Sequence, residues 1–251
     1  MDIETMPLKA YVWSLWQQNV DSKTQLITDQ YFIITVAWKW LGEEEVHYIQ
    51  LTPEQVQNED DSALIEEFCK HVEDSDVIIG HNIARFDIRH INSRRLKFGL
   101  GPMKPFQLID TLKVVKKNFA LPRYTLDYVA TFLGLDKKID TGGFMLWRNC
   151  WDGDQEAIDK MAEYNVGDIL VSEQVYLKLR PWVTNHPNMN LFVDDDVNVC
   201  TKCGSHNLEY IGEKRTSVSS YLAYRCKDCG GLSQERKSWL GKDEKPRLKS
   251  I

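Results

Sequence analysis

The chain has 251 residues, 43% of them hydrophobic and 27% charged, which is the balance of a soluble globular protein with room for one large domain and a small appendage. No apolar run is long enough to span a bilayer and the start lacks a basic-then-apolar signal layout, so a membrane-spanning protein is excluded and the cytoplasm is the default compartment. Net charge is −6, yet residues 200–251 carry 11 Lys and Arg against 6 Asp and Glu, so a basic tail follows an acidic body, a distribution compatible with a metal-dependent site held near nucleic acid.

Asp2-Ile3-Glu4-Thr5 reads as a strand. Residues two apart share a strand face, so Asp2 and Glu4 stand as neighbouring carboxylates whose repulsion a divalent cation relieves. Only Met1 precedes Asp2, whereas a central strand runs about five or six residues. The expectation is either a short strand or a chain that starts inside a longer reading frame, with an α-amino group one residue from the acids. Tyr11-Val12-Trp13-Ser14-Leu15-Trp16 is aromatic and is expected to pack on the core.

Residues 31–39 and 45–51, rich in β-branched and aromatic types around Gly42-Glu43-Glu44, predict a β-hairpin. Leu64, Ile65, Phe68 and Cys69 have the spacing of an amphipathic helix over 62–73. Asp76-Val77-Ile78-Ile79-Gly80 is a strand buried on both faces, and His81-Asn82-Ile83-Ala84-Arg85-Phe86-Asp87 leads from it into a helix reaching about Phe98. Residues 106–109 form a further strand, with Asp110-Thr111 as the N-cap region of the next helix. Leu126 to Leu133 predicts a helix stopped at Gly134, and 136–151 a loop that touches substrate. From Asp154 to about Arg180 the pattern is helical, with a bend near Asn165-Val166-Gly167. Tyr164 and Asp168, four apart, share one helix face.

Cys200-Thr201-Lys202-Cys203-Gly204 and Cys226-Lys227-Asp228-Cys229-Gly230 are two Cys-x-x-Cys-Gly knuckles. Four thiolates at this spacing close a tetrahedral, structural zinc site, and Cys69 and Cys150 stand apart from it. Residues 209–211 and 221–225 read as a hairpin between the knuckles, giving a zinc ribbon. Its Lys214, Arg215, Arg225 and tyrosines suit phosphate contact and base stacking; the other reading is a docking or purely stabilising unit. His47, His71, His81 and His90 are read as ordinary core or surface residues, and His206 as lying outside a completed zinc shell. The expected organisation is a catalytic domain over 1–182, a linker over 183–198 containing Asp194-Asp195-Asp196, the ribbon over 199–233, and a basic, flexible tail over 234–251.

Asp2-Ile3-Glu4-Thr5, His81-Asn82…Phe86-Asp87 and Tyr164-x-x-x-Asp168 together resemble the three motifs of the DEDD 3′–5′ exonuclease superfamily. The form with Tyr in the third motif, DEDDy, is shared with the proofreading domains of family A and B DNA polymerases. The likeness runs over about residues 1–180. Asp140-Thr141-Gly142-Gly143-Phe144…Trp147 extends it to stand-alone bacteriophage exonucleases. The resemblance implies an α/β, ribonuclease-H-like mixed sheet flanked by helices, to which the C-terminal zinc ribbon is added.

It also implies two Mg²⁺ or Mn²⁺ ions beside the one structural Zn²⁺, and hydrolysis of DNA 3′ ends, single-stranded ones above all, to nucleoside monophosphates. The setting would be phage DNA replication, proofreading or degradation in the host cytoplasm, with a DNA polymerase or other replication protein as partner. Carried over residue by residue, Asp2, Glu4, Asp87 and Asp168 hold the metals, with Asp2 bridging, and Tyr164 positions the attacking water. Asn82 and Phe86 seat the terminal nucleotides, and Thr5 and Met6 lie near the 3′-terminal sugar. The alternatives are an RNA exonuclease or structure-specific nuclease using the same acids, or a non-catalytic nucleic-acid-binding subunit, a reading that the short first strand favours.

Overall fold

Strand β1 (Asp2–Thr5) opens the chain and pairs antiparallel with β2 (Ile33–Trp38), which pairs antiparallel with β3 (His47–Gln50). This computed structural model describes residues 1–14, 16, 19–21, 23, 25–28, 30–135, 143–192 and 197–241. Pairing places Ile3 opposite Val36 and Glu4 opposite Thr35. Alternation then sends Ile3, 2% exposed, into the core and the acids on either side of it to the other face. After β3 come α1 (Pro53–Gln57), whose cap is a reciprocal Thr52–Gln55 box, and α2 (Ser62–Val72). Strand β4 (Val77–Gly80) pairs in parallel with β5 (Gln107–Asp110), and α3 (Asp87–Lys97) lies between them in sequence. The remaining helices of this part are α4 (Thr111–Asn118), α5 (Leu126–Phe132), α6 (Met145–Trp151) and α7 (Gln155–Leu179).

The chain divides into two compact units, Met1–Val175 and Tyr176–Ile251. In the first, Phe32, Ile33, Ile34 and Val36 of the β2 region pack with Ile65 and Phe68 of α2, Ile91 of α3 and Met161 of α7 in one core, which also encloses Cys69 and Cys150. Burial of a side chain of this size contributes about 1.5–3 kcal/mol. A buried ion pair braces the core. Arg94 donates to the Asp61 carboxylate at 2.5 and 2.8 Å, and that carboxylate also accepts the Ile33 N–H at 2.8 Å. The same guanidinium reaches the Tyr31 carbonyl at 3.0 Å.

In the second unit, two 3-10 turns (Arg180–Trp182 and Met189–Leu191) precede an antiparallel sheet of β6 (Leu208–Arg215), β7 (Ser220–Cys226) and β8 (Leu232–Gln234). Turn residues are tied to the first knuckle: Met189 N–H donates to Thr201 O at 3.0 Å, and the Lys202 ammonium to Pro181 O and Val183 O at 2.5 and 2.8 Å. Beyond β8, Tyr224 donates to Glu235 at 3.0 Å and Trp239 N–H to Ser220 O at 3.3 Å. The acidic triplet 194–196 and the tail from residue 242 fall outside the described residues.

Several expectations change. The single mixed sheet is resolved, among the described residues, into separate β1-β2-β3 and β4-β5 ladders. Between β1 and β4 there is a bond from the Met1 amine to Ile79 O at 2.9 Å, and one bond makes no ladder. Gly80 lies so close that a Cβ there would meet Met1 O at 2.9 Å, so this junction requires glycine. The aromatic segment is not core: Tyr11, Trp13 and Trp16 are 74%, 96% and 78% exposed. It lies off the main ladders, held by the Ala10–Leu26 bridge, and aromatic type alone supplies no face to pack on. The loop expected over 136–151 contains α6, whose Leu146 and Cys150, one turn apart, are buried; residues 136–142 lie outside the described set. Helix α7 runs through Asn165-Val166-Gly167 unbroken. Burial of Met161, Ala162, Asn165 and Ile169 on its inner face overrides the cost of about 1 kcal/mol for a mid-helix glycine.

Candidate active site

The acids come from three separate elements. Asp2 and Glu4 come from the outward face of β1, and Asp168 from the middle of α7. One ligand oxygen from each of these three lies within 4.8 Å of the other two. Asp87, the first residue of α3, is 2% exposed and aims at β1, where its Oδ1 accepts the Ile3 N–H at 3.0 Å. Its oxygens are not among the three of the cluster, and its charge acts on Asp2.

The electrostatics are those of a site short of positive charge. Burial pushes the Asp2 carboxyl well above the usual carboxylate range, and the neighbouring Asp87, Glu4 and Asp168 push it further. Burial likewise raises Asp87 to about 7, against the opposing Ile3 hydrogen bond. A hard divalent cation among oxygen donors removes this penalty, so the donor set fits Mg²⁺ or Mn²⁺. Asp2, Glu4 and Asp168 are the residues placed to hold it.

Asn165, fully buried in α7, donates from Nδ2 to Asp2 Oδ2 at 2.8 Å, with its carbonyl oxygen 3.5 Å from the Thr35 hydroxyl. From sequence it registered only as part of an expected bend. Its place one residue after Tyr164 and three before Asp168 puts it on the helix face that meets β1.

A cleft of about 540 Å³ opens over the acids. Tyr164, Asn82 and Phe86 line it with Asp2, Glu4 and Asp168, and the rest of the wall includes His81, Leu112, Lys116, Tyr124, Thr125 and Leu126. Asn82 has a left-handed backbone, φ 63°, which asparagine tolerates better than most residues. The Asp110 carboxylate gathers that loop: it accepts Asn82 N–H at 3.0 Å and Ala84 N–H at 3.4 Å while capping α4 through Leu112 and Lys113 N–H. His81 Nε2 donates to Tyr124 O at 2.8 Å and Nδ1 lies 2.9 Å from the Thr111 hydroxyl. His81 is therefore a brace between β4, α4 and the loop before α5.

Thr5 and Met6 are not in the cleft lining. Met6 is 1% exposed and belongs to the core, so its side chain is unavailable to a terminal sugar. The contributions of α4 and of Tyr124 leave no mark in the sequence, because Leu112 and Lys116 look like any i, i+4 pair on a helix.

The four knuckle sulfurs lie within 4.8 Å of one another, with Cys200–Cys229 and Cys203–Cys226 both at 3.6 Å. Tetrahedral Zn–S bonds of about 2.3 Å set sulfurs about 3.8 Å apart, so the donor set fits zinc. Lys202 N–H and Gly231 N–H point at Cys200 Sγ and Cys229 Sγ at 3.4 and 3.3 Å, as thiolate acceptors require. In the ribbon sheet, Lys214 pairs with Tyr221 and Glu209 with Arg225, whereas Arg215 pairs with Ser220. Lys214 and Arg225 therefore share a face with Tyr221, and Arg215 lies on the other. All three cations are exposed.

No helix among the described residues is long and apolar enough to cross a membrane. No curated protein matches the chain. Among solved structures, the family B DNA polymerase from the hyperthermophilic archaeon Pyrobaculum calidifontis is similar at 18% identity and a TM-score of 0.48, over 70% of this chain and 24% of that one. The chain thus spans about a quarter of the polymerase's length. A family model described as the RNase H superfamily matches residues 20–180, a span that takes in Asp87, Tyr164 and Asp168 and begins after Asp2 and Glu4. That match covers well over half of the sequence, and the chain belongs to the RNase H superfamily.

Proposed function

We propose that this protein is a metal-dependent 3′–5′ exonuclease of the DEDDy type, acting on DNA with a preference for single-stranded 3′ ends. The observation that carries the reading is the meeting of Asp2, Glu4 and Asp168 within 4.8 Å in a cleft that also receives Tyr164. Superfamily membership supports phosphodiester chemistry at such a cluster.

When bound, a pair of divalent cations supplies charge neutralisation at the phosphate and a water ionised at neutral pH. Asp2, Glu4 and Asp168 would hold these ions, with Asp2 fixed in orientation by Asn165. Asp87 adds its negative charge beside theirs and anchors β1 through Ile3. The Tyr164 hydroxyl orients the attacking water in line with the scissile bond. Water oxygen bonds to phosphorus as the bond to the 3′ oxygen breaks, and the proton passes to that oxygen, leaving a shortened strand and a nucleoside 5′-monophosphate. Asn82 and Phe86 bracket the terminal nucleotide. The ribbon is held by one Zn²⁺ on Cys200, Cys203, Cys226 and Cys229, and presents Lys214 and Arg225 to the nucleic acid. The setting we favour is DNA replication, proofreading or degradation in a bacteriophage.

The test is digestion of a 5′-labelled single-stranded DNA with Mg²⁺ or Mn²⁺, beside an EDTA control and Asp168→Ala. A metal-dependent ladder shortening from the 3′ end and absent in the variant is expected. Undigested DNA that shifts on a gel would instead make the protein a binding subunit, and faster digestion of the matched RNA would move the substrate to RNA.

A further inference from the structure

The cleft has a cation that the proposed chemistry does not use. Lys116 is the one lysine or arginine among the described residues lining it. Its ammonium lies 5.7 Å from the centroid of the Tyr124 ring. Among the described residues no carboxylate pairs with it, although three acids line the same cleft.

The ring under it is fixed at both ends. The Tyr124 hydroxyl lies 3.4 Å from both Phe119 O and Leu121 N, and its carbonyl accepts His81 Nε2 at 2.8 Å. A flexible lysine is thus offered a fixed aromatic face. Leu112, one turn earlier on α4, turns the same helix face into the cleft.

We propose that Lys116 binds a phosphodiester of the substrate strand one nucleotide to the 5′ side of the scissile one. This rests on the exonuclease reading above and adds a substrate class to it, an oligonucleotide with at least two internucleotide phosphates. The scissile phosphate has metal ions to neutralise it, whereas the next phosphate enters an acidic cleft with no metal of its own. A lone ammonium there makes entry of that phosphate favourable and lets the site tell a strand from a single phosphodiester. Lysine suits the task as a point charge on a long stem that can follow a strand as it advances.

The experiment compares the dinucleotide TpT, which has one phosphodiester, with the trinucleotide TpTpT, which has two. Binding is measured by calorimetry with Ca²⁺ in place of Mg²⁺, and cleavage with Mn²⁺. Lys116→Gln and Lys116→Arg are set beside Lys117→Gln, a charge-matched change at the next, exposed residue, which is not in the lining. The expectation is that wild type binds TpTpT about tenfold more tightly than TpT, as for a hydrogen bond to a charged group.

Lys116→Gln should lose that preference, Lys116→Arg should restore most of it, and Lys117→Gln should keep it. The cost should appear in KM for TpTpT rather than in kcat. For a longer oligothymidylate, Lys116→Gln should also lower the salt slope of log K by about 0.7, the single-strand increment for one phosphate. An unchanged preference in Lys116→Gln, or none in wild type, overturns the proposal. Absence of cleavage by wild type would instead sink the exonuclease reading, while the binding comparison still decides the role of Lys116.

Discussion

The Asp87 carboxylate accepts the backbone N–H of Ile3 at 3.0 Å, across 84 residues of sequence. One side chain thereby serves two ends: it holds the strand that carries Asp2 and Glu4, and it adds its charge to theirs. The two tasks separate by substitution. Asp87→Asn keeps an oxygen for Ile3 and loses the charge, so it should lower metal-dependent cleavage by about 10–100-fold with a melting temperature close to wild type. Asp87→Ala also leaves the Ile3 N–H unsatisfied and should cost about 1–3 kcal/mol of stability. Cleavage rates and thermal melts of the two variants distinguish these outcomes.

Asn165 should act on metal affinity. Residues that orient a ligand carboxylate commonly change affinity or activity by about 10–100-fold when lost. Asn165→Leu removes the donor to Asp2 at nearly constant volume. We expect the half-saturating Mn²⁺ concentration to rise by about that factor, with the rate at saturating Mn²⁺ largely recovered. A wild-type metal titration for this variant would remove Asn165 from the site.

Stability should depend on pH with the sign set by two raised carboxyls. Asp2 and Asp87 have folded-state values above the ordinary 3.8, Asp87 at about 7. Between about pH 4 and 7 the folded state therefore binds more protons than the unfolded one, and stability falls as pH rises through this window. Without divalent ions the first unit should melt at a lower temperature at pH 8 than at pH 5. Mn²⁺ should raise the melting temperature more at pH 8, where these carboxylates would otherwise be charged and uncompensated. Calorimetry at the two pH values with and without Mn²⁺ reads the difference.

The Asp61–Arg94 pair is buried on both sides, at 0% and 4% side-chain exposure. Breaking such a pair from one side strands the other charge and costs about 3–5 kcal/mol. Arg94→Met and Asp61→Asn should therefore both destabilise strongly, the second because one amide oxygen cannot accept from both Ile33 N–H and the Arg94 guanidinium, which use different oxygens of the carboxylate. Urea melts of the two variants give the comparison.

Removal of zinc should unfold the sheet of the ribbon, because so small a unit draws much of its folding free energy from its metal. A strong chelator should release about one zinc per chain and make the β6–β7 turn sensitive to protease. Cys203→Ser should have the same effect without chelator.

The spacing of Asp2 with Glu4 and of Tyr164 with Asp168 could be read directly, since strand and helix periodicities fix which side chains share a face. So could the cysteine knuckles, which are local pairs. The bond from Asn165 to Asp2 could not, because it joins residues 163 apart through packing that no local pattern encodes. The same holds for Asp61 and Arg94. Trp13 and Trp16 depart from expectation in the opposite sense, as residue type gives a preference for burial but not a partner. Helix α6 left a signal in Leu146 and Cys150, masked by the glycines just before it. Asp110 is legible as a cap, while its grip on Asn82 depends on β4 and β5 lying side by side.

The placement of the cysteines makes the protein a convenient object for optical labelling. Cys69 and Cys150 are sealed in the core at 5% and 0% exposure, and burial pushes the Cys150 thiol up to about 12, far from the reactive thiolate. With zinc bound to the other four sulfurs, as proposed, the native chain would offer maleimide dyes no ready target. A cysteine introduced at an open position such as Leu96, 81% exposed on α3, would take a single fluorophore and turn the chain into a reporter without removal of any native residue.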